Sequence, residues 1–164
     1  MFFAMTRGIF QAVMGAALLL VMGCANDGGT GVKGSTASQA EFLRTSAEVV
    51  VVDFFDMYCH TCQSAAPHVN ELHALVQKRG LGSKISFYAI GWGNTEMEAD
   101  LYRTRFRVPF PVIPDRELAI SSRYGKFRPP LLLALRREGG NWKEIYRTNE
   151  PATSPEAILS AIWH

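Results

Sequence analysis

The sequence predicts an α/β domain, and two observations carry this prediction. A continuous run of β-branched and aromatic residues, Val49–Phe55, is typical of a strand covered on both faces. A segment with helical periodicity follows directly, with apolar residues every three or four positions. Its predicted end is marked by two basic residues and a glycine, Lys78-Arg79-Gly80. Further strand and helix patterns alternate after it, which favours a sheet packed against helices.

Size and charge indicate one ordinary globular domain. The 164 residues suffice for one sizeable core, and the chain is 48% hydrophobic and 20% charged. The net charge of +2 gives no indication of nucleic-acid binding. We interpret the clustered basic residues Arg103, Arg105 and Arg107 as the solvated face or end of a helix.

Residues 1–23 have the pattern of a signal peptide. Residues 9–22 carry no charge and would span roughly 21 Å as a helix, less than the ~30 Å hydrocarbon layer, so a removable signal is favoured over a membrane span. Val21-Met22-Gly23-Cys24 resembles the lipobox of bacterial lipoproteins, which implies a lipid on Cys24. Ordinary cleavage nearby, leaving Cys24 as a free thiol, is the alternative.

The residues behind Cys24 predict a tether and then a domain. Residues 24–37 are rich in Gly, Ser and Thr, which is typical of a flexible linker. The folded domain is expected to cover residues 38–164 and to open with a short helix, because Ser38 and Glu41 have capping-box spacing. We therefore expect an exported chain, lipid-anchored to a bacterial membrane and facing the periplasm or the outside of the cell.

The chain has three cysteines, and Cys59 and Cys62 form the natural pair because the tether separates Cys24 from them. Export places the pair where disulfides persist. The pair opens the predicted helix, whose free N–H groups and positive end stabilise a thiolate, so Cys59 is the expected nucleophile. Cys62 follows one turn later and can attack a mixed disulfide formed at Cys59.

Other uses of this motif are weighed against the redox interpretation. A structural zinc site needs two further ligands at suitable spacing, and haem attachment needs a histidine where Gln63 stands. A non-enzymatic copper or haem-chaperone module, with Cys59, His60 and Cys62 as soft ligands, stays open as the alternative function. No resident metal or cofactor is predicted.

Several motifs resemble thioredoxins. Residues 53–62, DFFDMYCHTC, resemble the active-site strand and turn, with Tyr58 where tryptophan usually precedes the nucleophile. Pro67 matches the proline that kinks the active-site helix, and residues 124–133 resemble the segment that carries the cis-proline, with Pro130 in the matching place. The Glu138–Asn141 turn resembles that of the last hairpin. The resemblance implies a thioredoxin fold, with a central mixed sheet flanked by helices.

The middle of the chain carries an additional strand-helix unit. Strands are expected at residues 85–90 and 110–115, and helices at residues 95–106 and 116–124. In the first helix Met97, Leu101 and Phe106 are available for burial. The unit resembles the insertion of the TlpA, ResA and redoxin branch, whose members are often exported, tethered reductases, some serving cytochrome c maturation. Its peroxidase members match poorly, because Asp56 stands where their motif has threonine.

The resemblance also implies roles for individual residues. Catalytic roles are expected for Cys59, Cys62, Asp53 and Pro130, and substrate-binding roles for Tyr58, His60, Thr61 and Pro129. Asp53, which lies in a buried strand, is expected to have a raised pKa and to take the proton from Cys62, with a purely structural hydrogen-bonded carboxyl as the alternative. Pro130 is expected to follow a cis peptide bond beside the Cys59 sulfur.

The expected activity is thiol-disulfide oxidoreduction on exported proteins. The implied partners are disulfide-containing exported proteins, with apocytochromes among the candidates, and a membrane thiol carrier that supplies electrons. Pro129 departs from the family pattern, because a proline before the cis-proline has no N–H to donate to a docked substrate strand. Substrate docking is therefore expected to be weaker or more selective.

Overall fold

The computed structural model describes residues 43–151 and 153–164, in which five strands form one mixed sheet. The strand order is β3-β2-β1-β4-β5, with β1, β2 and β3 parallel and β4 and β5 antiparallel to their neighbours. The strands are β1 Val49–Phe55, β2 Ile85–Trp92, β3 Val112–Asp115, β4 Leu131–Glu138 and β5 Asn141–Thr148. This is the predicted α/β architecture with a central mixed sheet.

Strand β1 is central and fully buried, as its apolar sequence predicts. Successive side chains of a strand point to opposite faces, and β1 accordingly contributes to two apolar clusters. Val49, Val51 and Phe55 pack on the face that carries the helices, whereas Val50, Val52 and Phe54 pack on the other face. Asp53 alternates with Val52 and Phe54 and therefore points to the face that carries the helices.

Three helices are described: α1 His60–Lys78, α2 Glu96–Arg105 and α3 Pro155–Ile162. Helix α1 buries residues three or four positions apart and ends, as predicted, at Lys78, Arg79 and a Gly80 with φ of 72°. Pro67 lies inside α1. None of the helices in the described residues is long and apolar enough to cross a membrane.

Helix α2 confirms the predicted element but corrects its buried face. Thr95 and Glu98 form a capping box that fixes the helix start, and the residues then buried are Ala99 and Tyr102. Met97 is 81% exposed and Leu101 52% exposed, so the prediction that they are available for burial was wrong, although Phe106 does pack against the core. The three-residue step from Ala99 to Tyr102 defines the inner face, and Met97 and Leu101 lie outside it.

The arginine cluster is solvated, as interpreted from the sequence. Arg103 and Arg105 are exposed in the last turn of α2, and Arg107 is exposed just beyond the helix end. Arg103 pairs with Asp100 of the same helix at 2.6 Å. These residues therefore form a helix face and helix end in contact with solvent.

The predicted helix at residues 116–124 is absent, and only a 3₁₀ turn at Ser121–Tyr124 forms there. The buried carboxylate of Asp115 accepts hydrogen bonds from Ile120 N at 2.9 Å and from Ser121 N and Oγ at 2.8 and 2.6 Å. Leu118 has a φ of 55°, which an α-helix does not permit. The chain is thus folded around a side-chain acceptor instead of continuing a helical ladder.

The hairpin between β4 and β5 agrees with the sequence. Gly139 and Gly140 have φ of 56° and 87°, the left-handed region that a two-residue hairpin turn requires. Several other expectations fall outside the described residues. These are the signal peptide at residues 1–23, the tether at 24–37, lipidation of Cys24, and the domain start and helix at Ser38.

Candidate active site

Cys59 and Cys62 occupy the first turn of α1, directly after the central strand. Cys59 is the N-cap residue, and its Sγ accepts a hydrogen bond from Cys62 N at 3.2 Å. Both thiols are free. A sulfur at the N-cap faces the unpaired N–H groups and the positive end of the helix, an arrangement that favours the thiolate.

The two thiols differ in access and in acidity. Cys59 is half-buried, whereas Cys62 is 2% exposed. Burial raises the pKa of the Cys62 thiol, and the hydrogen bond with Cys59 raises it further. Cys59 is therefore the more accessible of the two thiols, and the raised pKa keeps the Cys62 thiol protonated at neutral pH.

Asp53 supplies a carboxyl group on the face of β1 that carries the helices. It is 5% exposed, and burial raises its pKa from the ordinary 3.8 to about 7. The Asp53 charge in turn contributes to the raised pKa of Cys62. A carboxyl with a pKa near 7 can both take up and return a proton at neutral pH, which is the property required of a general base.

The segment that contains Pro129 and Pro130 lies beside Cys59. The Pro129–Pro130 peptide bond is cis, as the sequence predicts. The carbonyl oxygen of Pro129 is 3.9 Å from Cys59 Sγ, and Pro130 is buried. Asn149, which directly follows β5, holds the segment by donating from Nδ2 to the carbonyl oxygens of Pro130 at 2.8 Å and Arg128 at 3.2 Å. Asn149 was not among the residues predicted from the sequence.

The residues expected to bind substrate lie around Cys59. Tyr58 is 74% exposed, and His60 and Thr61 are exposed at the first turn of α1. The Tyr58 hydroxyl donates to Glu98 Oε1 at 2.7 Å, a hydrogen bond that raises the pKa of Tyr58 and lowers the pKa of Glu98. Pro129 is half-buried beside the sulfur.

A groove lies beside this turn, along α1. Its volume is about 420 Å³, and it lies between α1 and the segment that follows β5. The lining residues include Thr61, Ser64 and His68 of α1, and Asn149 and Glu150 opposite them. Thr61 is therefore shared by the cysteine motif and the groove.

Two further residues reach the cysteine motif from residues 93–111, the segment between β2 and β3 that is called the inserted segment below. The side chain of Asn94 is hydrogen-bonded to the turn before Cys59, and the Tyr102 hydroxyl donates to the carbonyl oxygen of Cys62 at 3.1 Å. Sequence reasoning missed both. The one available signal concerns Asn94, because polar residues after adjacent parallel strands meet at the carboxyl edge of a sheet. Within the described residues, no three His, Cys, Asp or Glu side chains are grouped so that they could hold a metal ion.

The chain resembles known proteins in sequence over about half of its length. No family model matches the chain. The thiol-disulfide oxidoreductase ResA of Geobacillus thermodenitrificans is 26% identical over 90 residues, which are 55% of this chain and 49% of that protein. The chain thus spans about half the length of this relative.

Solved structures share the fold. A putative thiol:disulfide interchange protein DsbE from Chlorobium tepidum superposes with a TM-score of 0.57 at 22% identity, covering 71% of this chain and 82% of that one. A thioredoxin-like protein from Aeropyrum pernix gives a TM-score of 0.58 at 14% identity, covering 74% and 80%. The chain thus has the thioredoxin fold and is similar in sequence to ResA thiol-disulfide oxidoreductases.

Proposed function

We propose that the chain is a thiol-disulfide oxidoreductase that reduces or exchanges disulfides of exported proteins. The observation that carries the proposal is the asymmetry of the cysteine pair. Cys59 is reachable and sits at the helix N-cap, while Cys62 is buried one turn later and interacts with the charge of Asp53. One thiol is thus suited to attack a substrate, and the other is suited to release it.

The reaction follows from this arrangement. The Cys59 thiolate attacks one sulfur of the substrate disulfide, forming a mixed disulfide and releasing the first substrate sulfur as a thiolate. Asp53 then takes the proton from Cys62, and the Cys62 thiolate attacks Cys59 Sγ. The Cys59–Cys62 disulfide forms and the second substrate thiolate leaves, so two electrons have passed from the dithiol to the substrate. A thiol reductant must then restore the dithiol, and we propose a membrane thiol carrier for that role.

The substrate surface is proposed to consist of Tyr58, His60, Thr61 and Pro129 around Cys59. The exposure of the first three and the position of Pro129 beside the sulfur support this assignment. We propose Pro130 as the residue that shapes the segment against Cys59. Disulfide-bonded exported proteins, with apocytochromes among them, are the proposed substrates.

The location proposed for this activity is the outer surface of a bacterial membrane. The signal-peptide pattern of residues 1–23 and the lipobox resemblance ending at Cys24 support export and lipid anchoring. The composition of residues 24–37 supports a tether that leaves the domain mobile above the bilayer. Anchoring would raise the local concentration of the domain around a membrane-embedded electron donor.

The activity is tested by following reduction of insulin disulfides in the presence of dithiothreitol. The purified chain is expected to accelerate insulin precipitation, and the Cys59→Ala variant is expected to give the uncatalysed rate. A chain that is inert in this assay, yet retains stoichiometric copper through gel filtration in the reduced state, would contradict the proposal. That outcome would favour a copper module built on Cys59, His60 and Cys62.

Pro129→Thr is expected to raise activity on generic peptide disulfides. Threonine restores a backbone N–H beside Cys59, so an extended substrate can form the main-chain hydrogen bond that proline forbids. One such bond is worth about 1 kcal/mol, so a rise in kcat/KM of roughly fivefold is expected. Steady-state kinetics with a quenched fluorescent peptide disulfide measure the change. Unchanged or reduced kcat/KM would show that a backbone N–H at residue 129 is not used in docking.

A further inference from the structure

The inserted segment reaches the cysteine motif through Asn94. Strands β1 and β2 are parallel neighbours, with Phe55 paired to Gly91, so the residues that follow each strand meet at one edge of the sheet. Asn94 is 3% exposed there. Its Oδ1 accepts from Met57 N at 2.9 Å, and its Nδ2 donates to Asp56 Oδ1 at 3.2 Å.

The turn that Asn94 contacts is the one that delivers Cys59 to the helix. Asp56 Oδ1 also accepts from Tyr58 N at 3.0 Å, and the Asp56 carbonyl oxygen accepts from Cys59 N at 3.0 Å. Gln63 Nε2 donates to the Met57 carbonyl oxygen at 2.8 Å. Five hydrogen bonds thus define the backbone from Asp56 to Cys59, and Asn94 makes two of them. This backbone leads into the N-cap residue Cys59, whose Sγ accepts a hydrogen bond from Cys62 N at 3.2 Å.

Local sequence shapes the approach of Asn94. Asn94 N donates to the Gly91 carbonyl oxygen at 3.0 Å, and Gly93 between them has a φ of 71°. A Cβ at Gly91 would lie 3.0 Å from Asn94 Cβ and 3.2 Å from Phe55 Cζ. The missing side chain at Gly91 therefore leaves the space that Asn94 occupies above the end of β1.

Tyr102 reaches the second cysteine from the same segment. Its hydroxyl donates to the Cys62 carbonyl oxygen at 3.1 Å in the protein interior. Its ring stacks on Phe55 with centroids 3.7 Å apart and planes within 12°. Burial raises the pKa of Tyr102, so the hydroxyl stays protonated and remains a donor.

We propose that Asn94 and Tyr102 are positioning residues of the redox site, Asn94 for Cys59 through the preceding turn and Tyr102 for Cys62 through its backbone carbonyl. The proposal rests on the proposed thiol chemistry of the pair. On this proposal the inserted segment is part of the active site. It influences the attack by Cys59 and the closure by Cys62 separately. Loss of Asn94 slows the attack by Cys59, and loss of the Tyr102 hydroxyl slows closure by Cys62.

The experiment separates the two steps with the full chain, reduced, in a Cys24→Ser background so that Cys59 and Cys62 are the reacting thiols. Mixing with 5,5′-dithiobis(2-nitrobenzoic acid) releases one coloured thiolate when Cys59 attacks and a second when Cys62 closes the disulfide. Asn94→Ala is expected to slow the first phase about fivefold or more, because Met57 N–H loses its buried acceptor. Tyr102→Phe is expected to leave the first phase within about twofold and to slow the second about fivefold.

Val108→Ala is the matched control, because Val108 is buried in the same segment and the same apolar cluster. It is expected to lower the melting temperature while leaving both phases unchanged.

Should Asn94→Ala fail to fold, Asn94→Asp is the second variant. It keeps the acceptor for Met57 N–H, loses the donor to Asp56, and is expected to slow the first phase only. An unchanged first phase in the Asn94 variant that folds, or equal slowing of both phases by Val108→Ala, would overturn the proposal. The reagent reacts with any accessible thiol, so the two phases can be measured even in a chain that does not reduce insulin. Failure of insulin reduction would therefore contradict the proposed function and leave the test of Asn94 and Tyr102 intact.

Discussion

Cys62→Ala is expected to trap the chain as a covalent mixed disulfide with its substrates. Attack at Cys59 precedes release by Cys62, so removal of the second thiol stops the reaction after the first bond has formed. Turnover of insulin should fall to the uncatalysed rate. Expressed with its own N-terminal segment, the variant should accumulate high-molecular-mass adducts that dithiothreitol dissolves, seen on non-reducing gels.

Cys59→Ala is the matched control for trapping. Cys62 is 2% exposed and burial raises its pKa, so it should form few adducts when it is the only cysteine of the pair. Cys24 stays intact in both variants, so that any tethering is unchanged. Equal trapping by the two variants would contradict the assignment of Cys59 as the nucleophile. Apocytochromes among the trapped proteins would indicate cytochrome maturation, whereas a broad mixture would indicate a general reductase or isomerase.

The features that the sequence predicts well are those encoded by neighbouring residues. The strand Val49–Phe55 and the helix after it depend on hydrophobic period and end signals, and both formed where expected. The Gly139-Gly140 turn is likewise a local signal. The cis bond before Pro130 agrees with the resemblance to thioredoxins.

The features that the sequence did not reveal depend on side-chain hydrogen bonds, some within a loop and some between distant residues. The helix expected at residues 116–124 is replaced by a turn because the carboxylate of Asp115, buried at the end of a strand, binds three donors five and six residues later. Asn94 and Tyr102 contact residues 37 to 40 positions away. The hydrophobic period of a segment does not identify such pairs, since they form only after the sheet has aligned the strand ends.

The two buried aspartates near the sheet have opposite environments. Asp115 is 4% exposed and accepts three hydrogen bonds, so its carboxylate is compensated. Asp53 is 5% exposed, and desolvation raises its pKa to about 7. Because burial destabilises the charged form of the Asp53 carboxyl, this residue lowers the free energy of unfolding at neutral pH. A buried acid that does so is a candidate for a chemical role.

Asp53→Asn is expected to stabilise the fold at neutral and alkaline pH while impairing the release step. Below about pH 4 the carboxyl is protonated in both the folded and the unfolded chain. As pH rises from about 4 to about 7, the unfolded chain loses this proton first, so the wild-type chain loses stability over this window, and above it the penalty is constant. The full shift corresponds to a penalty on the order of 4 kcal/mol, which the amide does not incur.

The pH dependence separates this effect from any fixed cost of burying an amide. Urea unfolding of both chains should show the advantage of Asp53→Asn growing by about 3 kcal/mol between pH 5 and pH 8. Asp115→Asn, the matched control, should instead lower the free energy of unfolding by about 1–3 kcal/mol, because an amide cannot accept all three hydrogen bonds.

In rapid mixing, Asp53→Asn should leave the first attack unchanged and slow closure by Cys62 roughly 100-fold at pH 7, since general-base assistance is lost. A stability difference that does not vary with pH, together with unchanged closure, would make Asp53 a structural residue.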